Sequence, residues 1–157
     1  MTTYTSAQYV DTAPTSTEAG EQMVFCASYT FAAATTLAIG DIIKLAKLPA
    51  NHVLTDLRLE TDALGTTCAG SVGFLNAGAT DMSQAVIAIG SLATATIKNE
   101  DTTAGLRVAA ATSGFTPIGI KITTTGSAGS AGVKVTITMK YRPKQNKIGR
   151  ASCRERV

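Results

Sequence analysis

The sequence predicts an all-β chain: an antiparallel β-sandwich or jelly-roll-like fold of about eight strands, with one short helix and an extended N-terminal arm. Three observations predict it. Apolar residues alternate with polar ones at period 2 in several segments, and turn residues separate those segments at short spacing. Charged residues are only 16% of the chain, well below the usual quarter, while Ala, Thr, Gly and Ser dominate and tryptophan is absent. At 157 residues the chain suits a single domain. A core of this size needs no staples. The organisation expected is an arm over 1–20, a sandwich over 21–143 and a disordered tail over 144–157.

Residues 1–20, MTTYTSAQYVDTAPTSTEAG, are rich in Thr and Ser and have no period of their own. They read as an arm that a partner orders, with Tyr4, Tyr9 and Val10 as its sizeable apolar groups and interface candidates; the alternative is a terminus folded back locally. Glu21 to Phe31 is a strand, apolar on both faces and therefore expected at the centre of a sheet. Asp41 to Leu48 is the next strand, and Pro49-Ala-Asn51 stops it because proline lacks a ladder donor. Val53 to Glu60 follows, with Val53, Thr55, Leu57 and Leu59 expected on the buried face and His52, Leu54, Asp56, Arg58 and Glu60 on the wet one. Thr67 to Leu75 is a third strand, in which Gly70 and Gly73 signal a bulge or a close backbone approach.

Asp81 to Gly90 carries Met82, Ala85, Val86 and Ile89 at helical spacing, with Asp81 or Thr80 to cap it and Gly90 to end it. This is the expected helix. Ser91 to Lys98 reads as irregular or weak strand, 98–102 as a polar turn, and Leu106 to Ala111 as a short strand. Pro117 to Thr125 and Gly132 to Tyr141 alternate cleanly and read as a closing hairpin around the loop GSAGSAG.

The stretch from Gly40 to Leu75 resembles bacteriophage virion proteins of the head-decoration type, small all-β proteins that sit on a capsid shell. The likeness is carried by Gly40, Asp41, Ile42, Ile43, Leu45, Leu48, Pro49, Val53, Leu57, Leu59, Gly73, Phe74 and Leu75. It implies a structural virion protein decorating or stabilising a phage capsid, with the major capsid protein and copies of itself as partners, a homotrimer being expected. The last ten residues, IGRASCRERV, are similar to the translation of a common sequencing adapter. That likeness marks 148–157 as artefactual and leaves the native C-terminus undefined; composition alone reads them as a basic tail.

The chemistry expected is binding without turnover. His52 is the only histidine, no G-x-S-x-G elbow surrounds any serine, and a solvated turn histidine is the plainer reading. Asp56, Glu60 and Asp62 could gather a hard cation, but Arg58 competes for them; Asn99, Glu100 and Asp101 read as a turn. Cys26 and Cys68 lack ligand spacing and read as small buried hydrophobes. The GSAGSAG loop leads into a strand rather than a helix, so it is no phosphate cradle. No catalytic, cofactor or metal residues are therefore expected. The tail carries net +2 of the formal +3, so the body offers no electrostatic footprint for nucleic acid. Neither a signal peptide nor a spanning segment is evident, which suits a virion protein made in a host cytoplasm. The alternatives are a self-assembling filament or tail-tube subunit, and a host-recognition or carbohydrate-binding module.

Overall fold

The structure, a computed structural model, describes residues 1–15, 21–99, 114–126 and 131–144. Two sheets face each other across one core. The five-stranded sheet has the order β1-β3-β8-β5-β6, from β1 (Thr3–Thr5), β3 (Ile42–Pro49), β8 (Phe115–Thr124), β5 (Ala69–Leu75) and β6 (Met82–Ile89). The four-stranded sheet has the order β2-β9-β4-β7, from β2 (Met23–Thr30), β9 (Lys134–Pro143), β4 (His52–Thr61) and β7 (Thr96–Asn99). Among the described residues, all pairings are antiparallel except β1 on β3. This is the β-sandwich that the alternation predicted. The expected strand over Leu106 to Ala111 lies outside the described residues.

Clean alternation identified the core where the ladders are regular. Ile118, Ile120 and Ile122 of β8 and Val135, Ile137, Met139 and Tyr141 of β9 are all buried between the sheets. These two strands are not a hairpin, however. β8 lies between β3 and β5 in one sheet, and β9 lies between β2 and β4 in the other, so their connection crosses the sandwich. The turn after β3 crosses in the same way, at Asn51 with φ 58°. Among the described residues, only β5 and β6 pair with their immediate chain neighbours in one hairpin.

β-Bulges account for three further departures. In β4 the register slips between Leu54 and Asp56, leaving Thr55 without a partner in the ladder to β9. The slip inverts the phase, so His52 and Leu54 point inward before it and Leu57, Leu59 and Thr61 after it. Leu54 is thus core rather than wet face. In the β5–β6 pair the register slips at Val86, which buries Val86 and Ile87 consecutively. That double burial imitates helical spacing, so the helix expected over Asp81 to Gly90 is instead β6, consistent with its β-branched run. Asp81 does not cap a helix. It pairs with Lys121 of β8, whose hydrogen bond holds the Asp81 carboxyl below its ordinary pKa, with help from the Met82 amide. β2, expected at a sheet centre, is an edge strand with Val24 and Cys26 exposed.

The third bulge, at Leu45 in β3, draws the N-terminal arm into the fold. The slip between Lys44 and Ala46 turns both Leu45 and Ala46 into the core. A bulged residue leaves its backbone without ladder partners. Ser6, itself buried, donates its hydroxyl to Leu45 O at 2.7 Å, and its amide donates to Lys44 O at 2.9 Å. The arm then makes one 3-10 turn at Ala7–Tyr9, with the Ser6 hydroxyl capping the Tyr9 amide. Gln8 Oε1 accepts from Ser28 N of β2, and Ala13 N donates to Lys47 O. Further along, Tyr141 donates to Pro14 O at 2.6 Å. The arm therefore lies along its own sandwich, bridging the edges of β3 and β2. The expectation that only a partner would order it overlooked these backbone bonds, which need no large side chains.

Two outcomes follow from this packing. A Cβ at Gly73 would stand 2.1 Å from Gln84 O and 2.9 Å from the Ala85 Cα, whereas one at Gly90 would meet nothing within 4 Å. Gly73→Ala is expected to cost about 1–3 kcal/mol in denaturant unfolding, with Gly90→Ala within about 0.5 kcal/mol of the parent. Ser6→Ala leaves the Leu45 carbonyl buried without its hydroxyl donor. It is expected to cost about 1–3 kcal/mol and to speed proteolysis of the first 15 residues under native conditions.

Candidate interaction surface

The three arm residues singled out from the sequence take different positions. Tyr4 is directed inside. Its ring packs 5.9 Å from Tyr29 and 5.4 Å from Phe31, which stand edge to face with each other at 4.9 Å. Burial first, and the Asp41 charge second, raise the Tyr4 hydroxyl above its ordinary pKa. Asp41 is itself buried, at 1% exposure, and its carboxylate accepts from the amides of Thr2 and Ala38. Tyr9 is half-buried on the opposite face of the five-stranded sheet, against a small cluster of Ile42, Leu75 and Ala79. Val10 is 72% exposed. The structure thus brings Tyr9 and Val10 together at the surface and separates Tyr4 from them.

Sequence reading missed the residues that surround Tyr9. The Lys47 ammonium stands 4.9 Å from the Tyr9 ring centroid and 4.5 Å from that of Phe115, and it donates to Val10 O at 3.0 Å. Lys44 approaches the same Tyr9 ring at 5.9 Å. Such cation–ring contacts are worth roughly 0.5–1 kcal/mol at exposed sites. Register places Lys47 opposite Pro117 and Pro49 opposite Phe115, so β3 and β8 deliver these side chains to one corner of the sheet. The spacing Lys44-x-x-Lys47 carried no signal alone, because the bulge at Leu45 is what aligns the two lysines on one face.

The outer face of the four-stranded sheet has a different character. A shallow depression of about 660 Å3 is lined by Gln22, Thr55, Asp56, Arg58, Thr138 and Lys140 among others. Its charges are matched internally: Arg58 with Glu60 and Lys140 with Asp56, each at 2.7 Å. Asp62 accepts from the backbone of Lys134 at 2.8 Å. The three carboxylates considered as cation ligands are therefore committed to three separate partners. Glu100 and Asp101 lie outside the described residues.

His52 is not a solvated turn residue. It is only 5% exposed, at the start of β4, with its ring edge to face against Tyr141 at 5.7 Å. Nδ1 lies 2.8 Å from Ala50 O, and Nε2 has no partner among the described residues. The bulge in β4 accounts for this placement, since it reverses which residues face inward. Neither a serine nor a carboxylate approaches the ring among the hydrogen bonds described, so the arrangement serves packing. Of the cysteines, Cys68 is core, with its thiol pushed up by burial, whereas Cys26 is exposed rather than buried. No helix among the described residues is long and apolar enough to cross a membrane.

No protein-family model matches the sequence, and no curated protein is similar to it. Solved structures are similar. A chain in the capsid of Ralstonia phage GP4 superposes with a TM-score of 0.75 over 92% of this chain and 99% of that one, at 20% identity. A chain in the capsid asymmetric unit of cyanophage Pam1 superposes with a TM-score of 0.55 over 86% of this chain and 94% of that one, at 26% identity. The GP4 likeness establishes a shared fold. In both cases the match runs nearly end to end, so each neighbour is a chain of about this size.

Proposed function

We propose that this chain is a structural virion protein that decorates a phage head by binding the outer surface of its shell. The observation that carries the reading is the nearly end-to-end likeness to two capsid chains of about the same size. The fold suits the role. Residues 1–15 lie in cis along the sandwich, and the depression on the four-stranded sheet pairs Arg58 with Glu60 and Lys140 with Asp56. Tyr9 and Val10 stand at the surface, where they would meet the partner. The role is binding without turnover. Subunits that bind the assembled shell and not its dissociated parts stabilise it by mass action. Copies meeting around a symmetry axis of the shell would form a closed ring, with a homotrimer as the natural unit.

The test is the assembly state of residues 1–147, made without the final ten, by sedimentation and negative-stain imaging, followed by incubation with heads of its own phage. The expected result is a compact monomer or trimer that co-sediments with heads. Spontaneous tubes, fibres or cages would overturn the reading in favour of a subunit that builds the assembly itself.

A further inference from the structure

The geometry points to one corner of the five-stranded sheet, formed by Tyr9, Val10, Lys44, Lys47 and Phe115, as the docking surface, and to an acidic patch of the shell protein with an apolar centre as what it fits. This inference rests on the decoration reading and specifies its contact.

Contacts divide the described cations: Lys98, Lys134, Arg142 and Lys144 make no described ion pair, three others pair with carboxylates, and Lys44 and Lys47 stand against aromatic rings. Arg58, Lys140 and Lys121 each have a carboxylate within 2.7 Å. Lys44 and Lys47 have none within 4.0 Å among the described residues; their neighbours are two aromatic rings and a carbonyl. A ring face attracts an ammonium without cancelling its charge. Lys47 is thus held in place and keeps donors to offer. The nearest acid along the chain is Asp11, which is exposed and makes no described ion pair.

Apolar exposure coincides with that charge. Val10 is 72% exposed and Phe115 39%, and both border Lys47. Exposed apolar side chains scattered singly need no explanation. Here an aliphatic group and two aromatic rings surround one ordered cation; the aromatic rings are of the kind enriched at protein interfaces, with the lysines at a polar rim. A partner carboxylate could pair with Lys47 or Lys44 while its apolar neighbours cover Val10 and Phe115. Pre-positioning of Lys47 lowers the entropy lost on binding. The carboxylates lining the depression on the opposite sheet are already paired, which argues against that face of a second copy as the occupant.

The experiment measures binding of the full chain to purified heads of its own phage at several salt concentrations. Lys44→Glu, Phe115→Ala and Val10→Asp are compared with Arg142→Glu, which makes the same charge change on the exposed side of the other sheet. Each variant is first matched to the parent in circular dichroism and melting temperature. Lys44→Glu and at least one of the other two corner variants are expected to weaken binding roughly tenfold or more, with Arg142→Glu within about twofold and parent binding weakening as salt rises. If the parent binds heads and the corner variants bind equally well, the docking surface is wrong while decoration stands. If the parent binds no heads, both readings fall. Parent binding to a DNA fragment that Lys44→Glu abolishes would assign the corner to phosphate and overturn the inference.

Discussion

The buried hydroxyl of Ser6 on the carbonyl of Leu45 is the contact on which this architecture turns. β3 needs its bulge, because the slip at Leu45 places Leu45 and Ala46 together in the core and aligns Lys44 and Lys47 outside. A bulge in a buried strand exposes a carbonyl that must find a donor. Ser6 supplies it, and in doing so ties the chain's first residues to the edge of β3. From that point the arm reaches β2 through Gln8, β3 again through Ala13, and β9 through Pro14. Tyr4, partly buried, packs against the core beside Tyr29 and Phe31, and Tyr9 packs on the outer face. One side of the sandwich is therefore covered in part by the chain itself, where the edge of the five-stranded sheet is the three-residue β1.

How much of this was legible depended on ladder regularity. β8 and β9 alternate without interruption along their inward faces, and their inward residues were identified correctly from period 2 alone. β4 and β6 contain bulges, and a bulge changes phase without leaving a signature in composition. Period 2 therefore places Leu54 and His52 on the wet face, and helical spacing places Val86-Ile87 in a helix. Sheet membership was a second limit. β8 and β9 are consecutive, alternating and joined by a short glycine-rich loop, yet they belong to opposite sheets. Local sequence specifies a strand and its faces; which strand it pairs with is decided by the packing of the whole.

The candidate surface was partly legible for a related reason. Tyr9 and Val10 stood out as large groups in a polar segment, and they do reach the surface. Tyr4 stands out equally and is only partly buried, but it packs against the main core, because the arm folds back and its pleat directs Tyr4 inward. Lys44, Lys47 and Phe115 carried no sequence signal, since it takes the bulge in β3 and the pairing with β8 to bring them around Tyr9. The two outer faces also differ in charge organisation. The depression on the four-stranded sheet pairs its ions internally, while on the other sheet Lys121 pairs with Asp81 and Lys44 and Lys47 stand against rings.

The most direct test of this account is native-state hydrogen exchange on the isolated chain. The amides of Ser6 and Ala13 donate to Lys44 O and Lys47 O. If the arm closes the sandwich in cis, both amides are protected well above free-peptide rates in dilute solution, to the same degree at every protein concentration. Exchange at free-peptide rates, or protection that grows with concentration, would mean that the arm is ordered only by another copy and would contradict the account.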